Sequence, residues 1–238
     1  VVTPENPIKV GSKISSFNHR FNMAKIATEK YDNIMPSDLE VNLKKPNYTI
    51  DTLEYISNKL KVSIEEARKI QKNYFHEYNT TLNGMIKNHE IDAKEFLDFV
   101  HDIDLEFLKK DKGLEQELSR IKDKKIIFTN GSRAHAENIT KRIGINKLFD
   151  GIFDIVDSDF IPKPAIETYK RLIDKYKIEP QYCIFIEDIA RNLKPAHELG
   201  MKTVWIKNNE PWAAEYSEAS FIDYKLDNLT NFLKEIKK

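Results

Sequence analysis

Apolar positions along this chain fall into two regimes. Between about Lys124 and Ile206, short apolar runs alternate with amphipathic stretches. Lys124–Thr129, Gly151–Val156, Tyr182–Glu187 and Lys202–Ile206 each read as a buried strand, because short continuous apolar runs bounded by turn signals suit a sheet covered on both faces. Helices are predicted between them at Ala134–Ile143, closed by Gly144, at Pro164–Tyr176, opened by its proline, and at Ala190–Leu199, closed by Gly200. Glycine accepts the left-handed conformation that ends a helix, and proline lacks the N–H that would go unpaired in a first turn. Strands joined by single helices and short connections take right-handed crossovers, so the spacing predicts a parallel sheet. Residues 50–119 lack that strand pattern. Ser63-Ile64-Glu65-Glu66 is a capping box, in which hydroxyl and carboxylate each satisfy a free N–H. Behind it Ile64, Ala67, Ile70, Tyr74 and Tyr78 recur at helical spacing, and Phe96–Val100 and Leu105–Leu118 continue the helical pattern. Near the end, Leu229, Phe232, Leu233 and Ile236 share one face of a helix expected over Asn228–Lys238.

The expected class is therefore α/β, a Rossmann-like parallel sheet with helices on both faces and a small helical cap inserted after the first strand. The boundaries that follow are 1–49 for an atypical N-terminal segment with a candidate first core strand, 50–119 for the helical cap and 120–238 for the α/β core. A chain of 238 residues is long enough to bury such a core.

Charge narrows the partners. Lys and Arg number 38 and Asp and Glu also 38, so no overall basic field recruits a polymeric nucleic acid. No run of about 18 apolar residues suggests a membrane span, and no signal segment opens the chain. A single cysteine, Cys183 in a strand pattern, reads as a small packed hydrophobe in a reducing compartment. A cytoplasmic protein is the expectation. The chain opens on Val1 and not on methionine, and a truncated or replaced natural start is expected from that.

The chemistry-bearing residues gather at the carboxyl ends of predicted strands, where open α/β sheets bind ligands. Thr129 and Asn130 end the first of them, Glu187 and Asp188 end the third, and Lys163-Pro164 lies between. A hydroxyl, a backbone N–H and an ammonium suit the equatorial oxygens of a phosphoryl group, whose transfer depends on positioning and charge neutralisation. Asp188 offers hard oxygen to Mg²⁺, which takes few protein carboxylates. Glu187 and Asn192 would shape the second shell around that ion.

These residues resemble the haloacid dehalogenase-like superfamily of phosphatases, and within it the pyrimidine 5′-nucleotidase group. Ile126–Asn130 is similar to the second motif, Lys163-Pro164 to the third and Ile186-Glu187-Asp188-Ile189-Ala190-Arg191-Asn192-Leu193 to the fourth. Tyr78-Asn79-Thr80-Thr81-Leu82-Asn83-Gly84-Met85 looks like a cap signature of the group, as does Phe96-Leu97-Asp98-Phe99-Val100-His101-Asp102-Ile103. The resemblance implies a Mg²⁺-dependent phosphatase acting on a small phosphomonoester, a pyrimidine nucleoside 5′-monophosphate, through an aspartyl-phosphate. It implies that Thr81, Asn83, His101 and Asp102 touch the leaving group. It also implies an acid-x-acid pair on an earlier strand, where one carboxylate attacks phosphorus and the other serves as acid and base. The best match is Asp38 with Glu40, which keeps the spacing but lacks the buried strand before it and the threonine after it. The resemblance stops near Ile50, and two alternatives stay open: a non-catalytic relative that binds phosphate, nucleotide or a protein partner, and a phosphatase of another phosphomonoester such as a sugar phosphate.

Overall fold

The computed structural model describes residues 48–208 and 210–236. The described residues divide into two compact units, one of Tyr48–Asn73 with Asp98–Phe107, the other of Tyr74–Leu97 with the described residues from Leu108 on. The candidate nucleophiles Asp38 and Glu40 lie outside the described residues.

In the first unit, α1 (Tyr48–Leu60) and the start of α2 (Ile64–Tyr78) bury Leu53, Tyr55, Ile56 and Ala67. Tyr55 and Phe99 meet edge to face, with ring centroids 5.6 Å apart. The Ser63 hydroxyl accepts the N–H of Glu66 at 3.2 Å, one half of the predicted capping box.

In the second unit the rest of α2 precedes α3 (Thr81–His89) and the start of α4 (Ala93–Val100). Thr80 caps α3 by accepting the N–H of Asn83 at 3.1 Å. Gly84 lets α2 and α3 close on each other, since any Cβ there would run into the Tyr74 ring. The Tyr74 hydroxyl hydrogen-bonds His89 Nε2 at 2.7 Å. After α5 (Lys112–Arg120) strands and helices alternate: β1 (Ile126–Phe128), α6 (Arg133–Ile143), β2 (Gly151–Phe153), α7 (Ile166–Tyr176), β3 (Ile184–Glu187), α8 (Leu193–Glu198), β4 (Lys202–Ile206), α9 (Pro211–Ala214), β5 (Tyr224–Leu226) and α10 (Leu229–Glu235). Every strand pair is parallel, as the spacing predicts. They form two ladders, β1–β2 and β3–β4–β5, and none joins β1 to β3 among the described residues.

The differences from the predicted elements have local causes. The run from Gly151 ends as a strand at Phe153, not Val156, because the Asp154 carboxylate accepts the N–H groups of Val156 and Asp157 at 3.1 and 2.9 Å and turns the chain. Pro164 does not open α7. Its peptide bond with Lys163 is cis, and the helix starts two residues later behind Ala165. The helix expected from Ala190 begins as a 3-10 turn, Ala190–Asn192, before α8. Another 3-10 turn, Pro180–Tyr182, delays β3 to Ile184. Gly144 ends α6 as predicted, with φ of 90°. The last helix stops at Glu235, so Leu229, Phe232 and Leu233 pack against Leu118 and Ile145 while Ile236 lies past its end, 36 % exposed. The third strand of its ladder, β5, escapes a hydrophobicity pattern because Tyr224 and Lys225 are exposed.

The sheet core centres on Tyr169 of α7, fully buried. Its ring meets Phe128 of β1 and Phe185 of β3 edge to face at 5.1 and 5.7 Å, so both ladders pack on one side chain. Cys183 packs into the same cluster. No helix among the described residues is long and apolar enough to cross a membrane.

Asp223, just before β5, fixes the start of β4. Partial burial opposes its ionisation, but the N–H and hydroxyl of Thr203 at 2.8 and 2.9 Å and the Lys202 ammonium at 3.1 Å outweigh it and pull its pKa down to about 2. A carboxyl depressed in the folded state stabilises the protein above its unfolded value, about 3.9, and that stability is lost as pH falls toward the folded value. Asp223→Asn should therefore lower the melting temperature at pH 7, with the difference closing between about pH 4 and pH 2. A difference independent of pH would show that the hydrogen-bond geometry matters and the charge does not.

Candidate active site

The strand ends that the sequence singles out come together through Lys163. Parallel pairing sends the Thr129 N–H to Phe153 of β2 at 2.9 Å. Successive residues of a strand alternate their hydrogen-bonding side, so the Phe128 carbonyl points away from β2. The Lys163 ammonium takes that carbonyl at 3.0 Å and the Glu187 carboxylate at 2.5 Å. It thus bridges the side of β1 turned away from β2 and the carboxyl end of β3. It also lies over the faces of Phe128 and Phe185, at 4.8 and 5.7 Å from their centroids. Lys163 is 7 % exposed and Glu187 8 %, so this is a buried ion pair whose charges depend on each other.

Asn130 holds the lysine in place. Its Oδ1 accepts the Lys163 N–H at 2.8 Å and its Nδ2 donates to the Lys163 carbonyl at 3.3 Å. The Thr129 Oγ1 accepts the N–H of Gly131 at 2.9 Å, which leaves its hydroxyl proton to donate. Beyond the loop, Arg133 donates its backbone N–H to Asp154 at 2.8 Å and pairs with Asp157 at 2.9 Å, tying the exit of β1 to that of β2.

Glu187 and Asp188 divide the electrostatic work. Burial opposes charge on Glu187, but the charge and hydrogen bond of Lys163, then hydrogen bonds from Asp188 and the Ile189 N–H, hold its carboxyl below the ordinary range. Asp188 keeps an exposed side chain, although the protein packed around its base partly desolvates the carboxyl. That desolvation, with the hydrogen bond and charge of Glu187, pushes Asp188 up against the opposing Asn208 amide. Asn208 donates to Asp188 Oδ2 at 3.1 Å, and the Trp205 indole donates to the Asp188 carbonyl at 2.8 Å. Nothing in the sequence singles out these two; the only available signal is that β4 ends on the same sheet edge as β3. Asn192 is 2 % exposed, and its carbonyl accepts the Tyr169 hydroxyl at 2.5 Å.

A cation fits this chemistry at Asp188, where a hard oxygen ligand is already disfavoured as an anion and positive charge would relieve it. Glu187 is engaged by Lys163 and stands behind Asp188. Among the described residues no three His, Cys, Asp or Glu side chains are grouped to hold a metal.

The cap candidates have local roles. Thr81 is buried at the start of α3, and the Asn83 amide donates to the Tyr78 carbonyl at 3.2 Å. His101 and Asp102 fall in the other unit, where the Asp102 charge helps raise Asp51, behind burial and Glu54.

The family model for haloacid dehalogenase-like hydrolases matches residues 21–200, and the chain belongs to that family. It is 31 % identical over 190 residues to phosphate metabolism protein 8 of Saccharomyces cerevisiae, a match covering 72 % of this chain and 58 % of that protein. It is also 46 % identical over 59 residues to a probable nicotinate-nucleotide adenylyltransferase of Flavobacterium johnsoniae, covering 25 % of this chain and 31 % of the other. The chain thus spans less than two thirds of the length of either relative. A solved HAD phosphatase from Thermococcus onnurineus superposes with a TM-score of 0.53 at 20 % identity, over 79 % of this chain and 89 % of that one, which supports the shared fold.

Proposed function

We propose that this protein is a Mg²⁺-dependent phosphatase of small phosphomonoesters, with pyrimidine nucleoside 5′-monophosphates as substrates. The observation that carries the proposal is the Lys163 bridge between the Phe128 carbonyl of β1 and the Glu187 carboxylate that ends β3. An ammonium has three N–H groups and Lys163 spends two on protein acceptors, so the third, with the Thr129 hydroxyl and the Asn130 N–H, would bind phosphoryl oxygens. Asp188 would hold Mg²⁺ in front of Glu187 and Asn192, and the ion would neutralise the phosphoryl charge.

An acid is also needed, and we assign it to the segment before residue 48, with Asp38 and Glu40 as its candidates. One carboxylate oxygen would bond to phosphorus as the ester P–O bond breaks. The second acid would protonate the departing oxygen and then take a proton from the water that hydrolyses the acyl phosphate. Thr81, Asn83, His101 and Asp102 are proposed contacts for the leaving group.

A second reading keeps phosphate binding and drops turnover. The first motif favours it: Asp38 and Glu40 keep an acid-x-acid spacing but lack the buried strand before them and the threonine after them. Phosphate release from UMP, CMP and ribose 5-phosphate with Mg²⁺ separates the readings. The first expects release from UMP and CMP well above that from the sugar phosphate. Equal release from all three would contradict the nucleotide preference, and binding without any release would favour the second reading.

A further inference from the structure

Arg191 is a cation beside the site without an ion-pair partner among the described residues. Other cations of the same unit are engaged: Lys163 by Glu187, Arg133 and Lys175 by Asp157, Lys194 by Glu198, Lys202 by Asp223 and Lys207 by Asp227. The Arg191 guanidinium carbon lies 5.0 Å from the centroid of Phe75, on α2, and its buried Nε has no hydrogen-bond partner. Phe75 in turn meets Trp212 edge to face at 5.3 Å, and Trp212 is 45 % exposed. Both ends of this stack leave the sheet edge that carries Asp188. Arg191 follows Asp188 by three residues in the turn Ala190–Asn192, and Trp212 follows by four residues the Asn208 whose amide holds Asp188.

A purely structural role, clamping α2 to the sheet, would be met by the ring contact alone. It would not explain a guanidinium N–H removed from water and left unpaired, since such a group is stabilised only when an acceptor reaches it. A planar fork of donors and a half-exposed indole that share the Phe75 ring between them suit a flat ligand with oxygen acceptors on its edge. We propose that Arg191 and Trp212 set leaving-group specificity, the guanidinium donating to ring carbonyl oxygens of a pyrimidine base that lies against the indole. This rests on the phosphomonoester reading of the site and adds the residues that would distinguish a nucleotide from a sugar phosphate.

Calorimetric titration of the whole chain with UMP, ribose 5-phosphate and inorganic phosphate, each with Mg²⁺, tests it. In Arg191→Ala, UMP affinity should fall about tenfold or more, the factor expected for a hydrogen bond to a charged donor, while ribose 5-phosphate and phosphate bind as before. Arg191→Lys should fail to restore it, because an ammonium lacks the planar fork, and Trp212→Ala should weaken UMP alone. An equal loss for all three ligands would place Arg191 on the phosphoryl group or in the fold and overturn the proposal. Unchanged UMP affinity, or an unmodified protein that binds UMP no better than ribose 5-phosphate, would overturn it as well. Failure of the unmodified protein to bind phosphate would instead remove the site beneath it, and this inference with it.

Discussion

Lys163→Ala should destabilise the protein by about 3–5 kcal/mol, the usual cost of removing one member of a buried ion pair, and should also remove its affinity for phosphate. The sequence alone predicts an intact fold with weakened binding, because an isolated Lys-Pro looks like a solvated loop. The structure changes that expectation: lysine and Glu187 are both buried, and truncation leaves the buried carboxylate without its counter-charge. Two controls separate the effects. Lys163→Met with Glu187→Leu, which removes both charges at similar volume, should recover most of the stability but none of the phosphate binding. The deficit of the single variant should also shrink on acidification. Without the lysine, burial is opposed on Glu187 only by the hydrogen bonds of Asp188 and the Ile189 N–H and raises its carboxyl, so the folded variant gains a proton that the unfolded chain takes only near its ordinary value, about 4.3. Urea unfolding at pH 7 and pH 5 measures this. A single variant within about 1 kcal/mol of the parent at both pH values would mean that the pair is solvated and exposed-pair energetics apply.

Much of the core was legible because its signals are local. β4 runs over Lys202–Ile206 as the apolar run predicts, and Gly144 closes α6 because a left-handed residue is needed there. The strand ends were legible for the same reason: Thr129, Glu187 and Asp188 each follow a hydrophobic run that must stop at the sheet edge. What escaped depends on partners distant in sequence. The Asn130 side chain clamps a backbone 33 residues away, and Asn208 reaches Asp188 across 20. Neither contact leaves a pattern in its own neighbourhood. The proline at 164 misled for a related reason, since a helix-opening proline and a cis turn proline look alike in one dimension. Arg191 sits inside a motif whose acids draw the attention, and its lack of a counter-ion among the described residues becomes visible only once the other cations of its unit have been paired.

The second large effect concerns Asp188. Its carboxyl is exposed, raised by desolvation and by Glu187, and oriented by Asn208, which is how a residue looks when a cation is to share its charge. Losing a metal ligand that stabilises a transferring phosphoryl group removes several kcal/mol, so Asp188→Ala should lower turnover about 10²- to 10³-fold. Stability should change little, because its side chain, unlike that of Glu187, faces water. Phosphate release from UMP, measured for the parent and for Asp188→Ala with Mg²⁺, after chelation with EDTA and after Mg²⁺ is restored, tests the assembled site most directly. The account predicts release by the parent that stops on chelation, returns with the metal and is lost in the variant. Release indifferent to EDTA, or no release above that of Asp188→Ala, would contradict it.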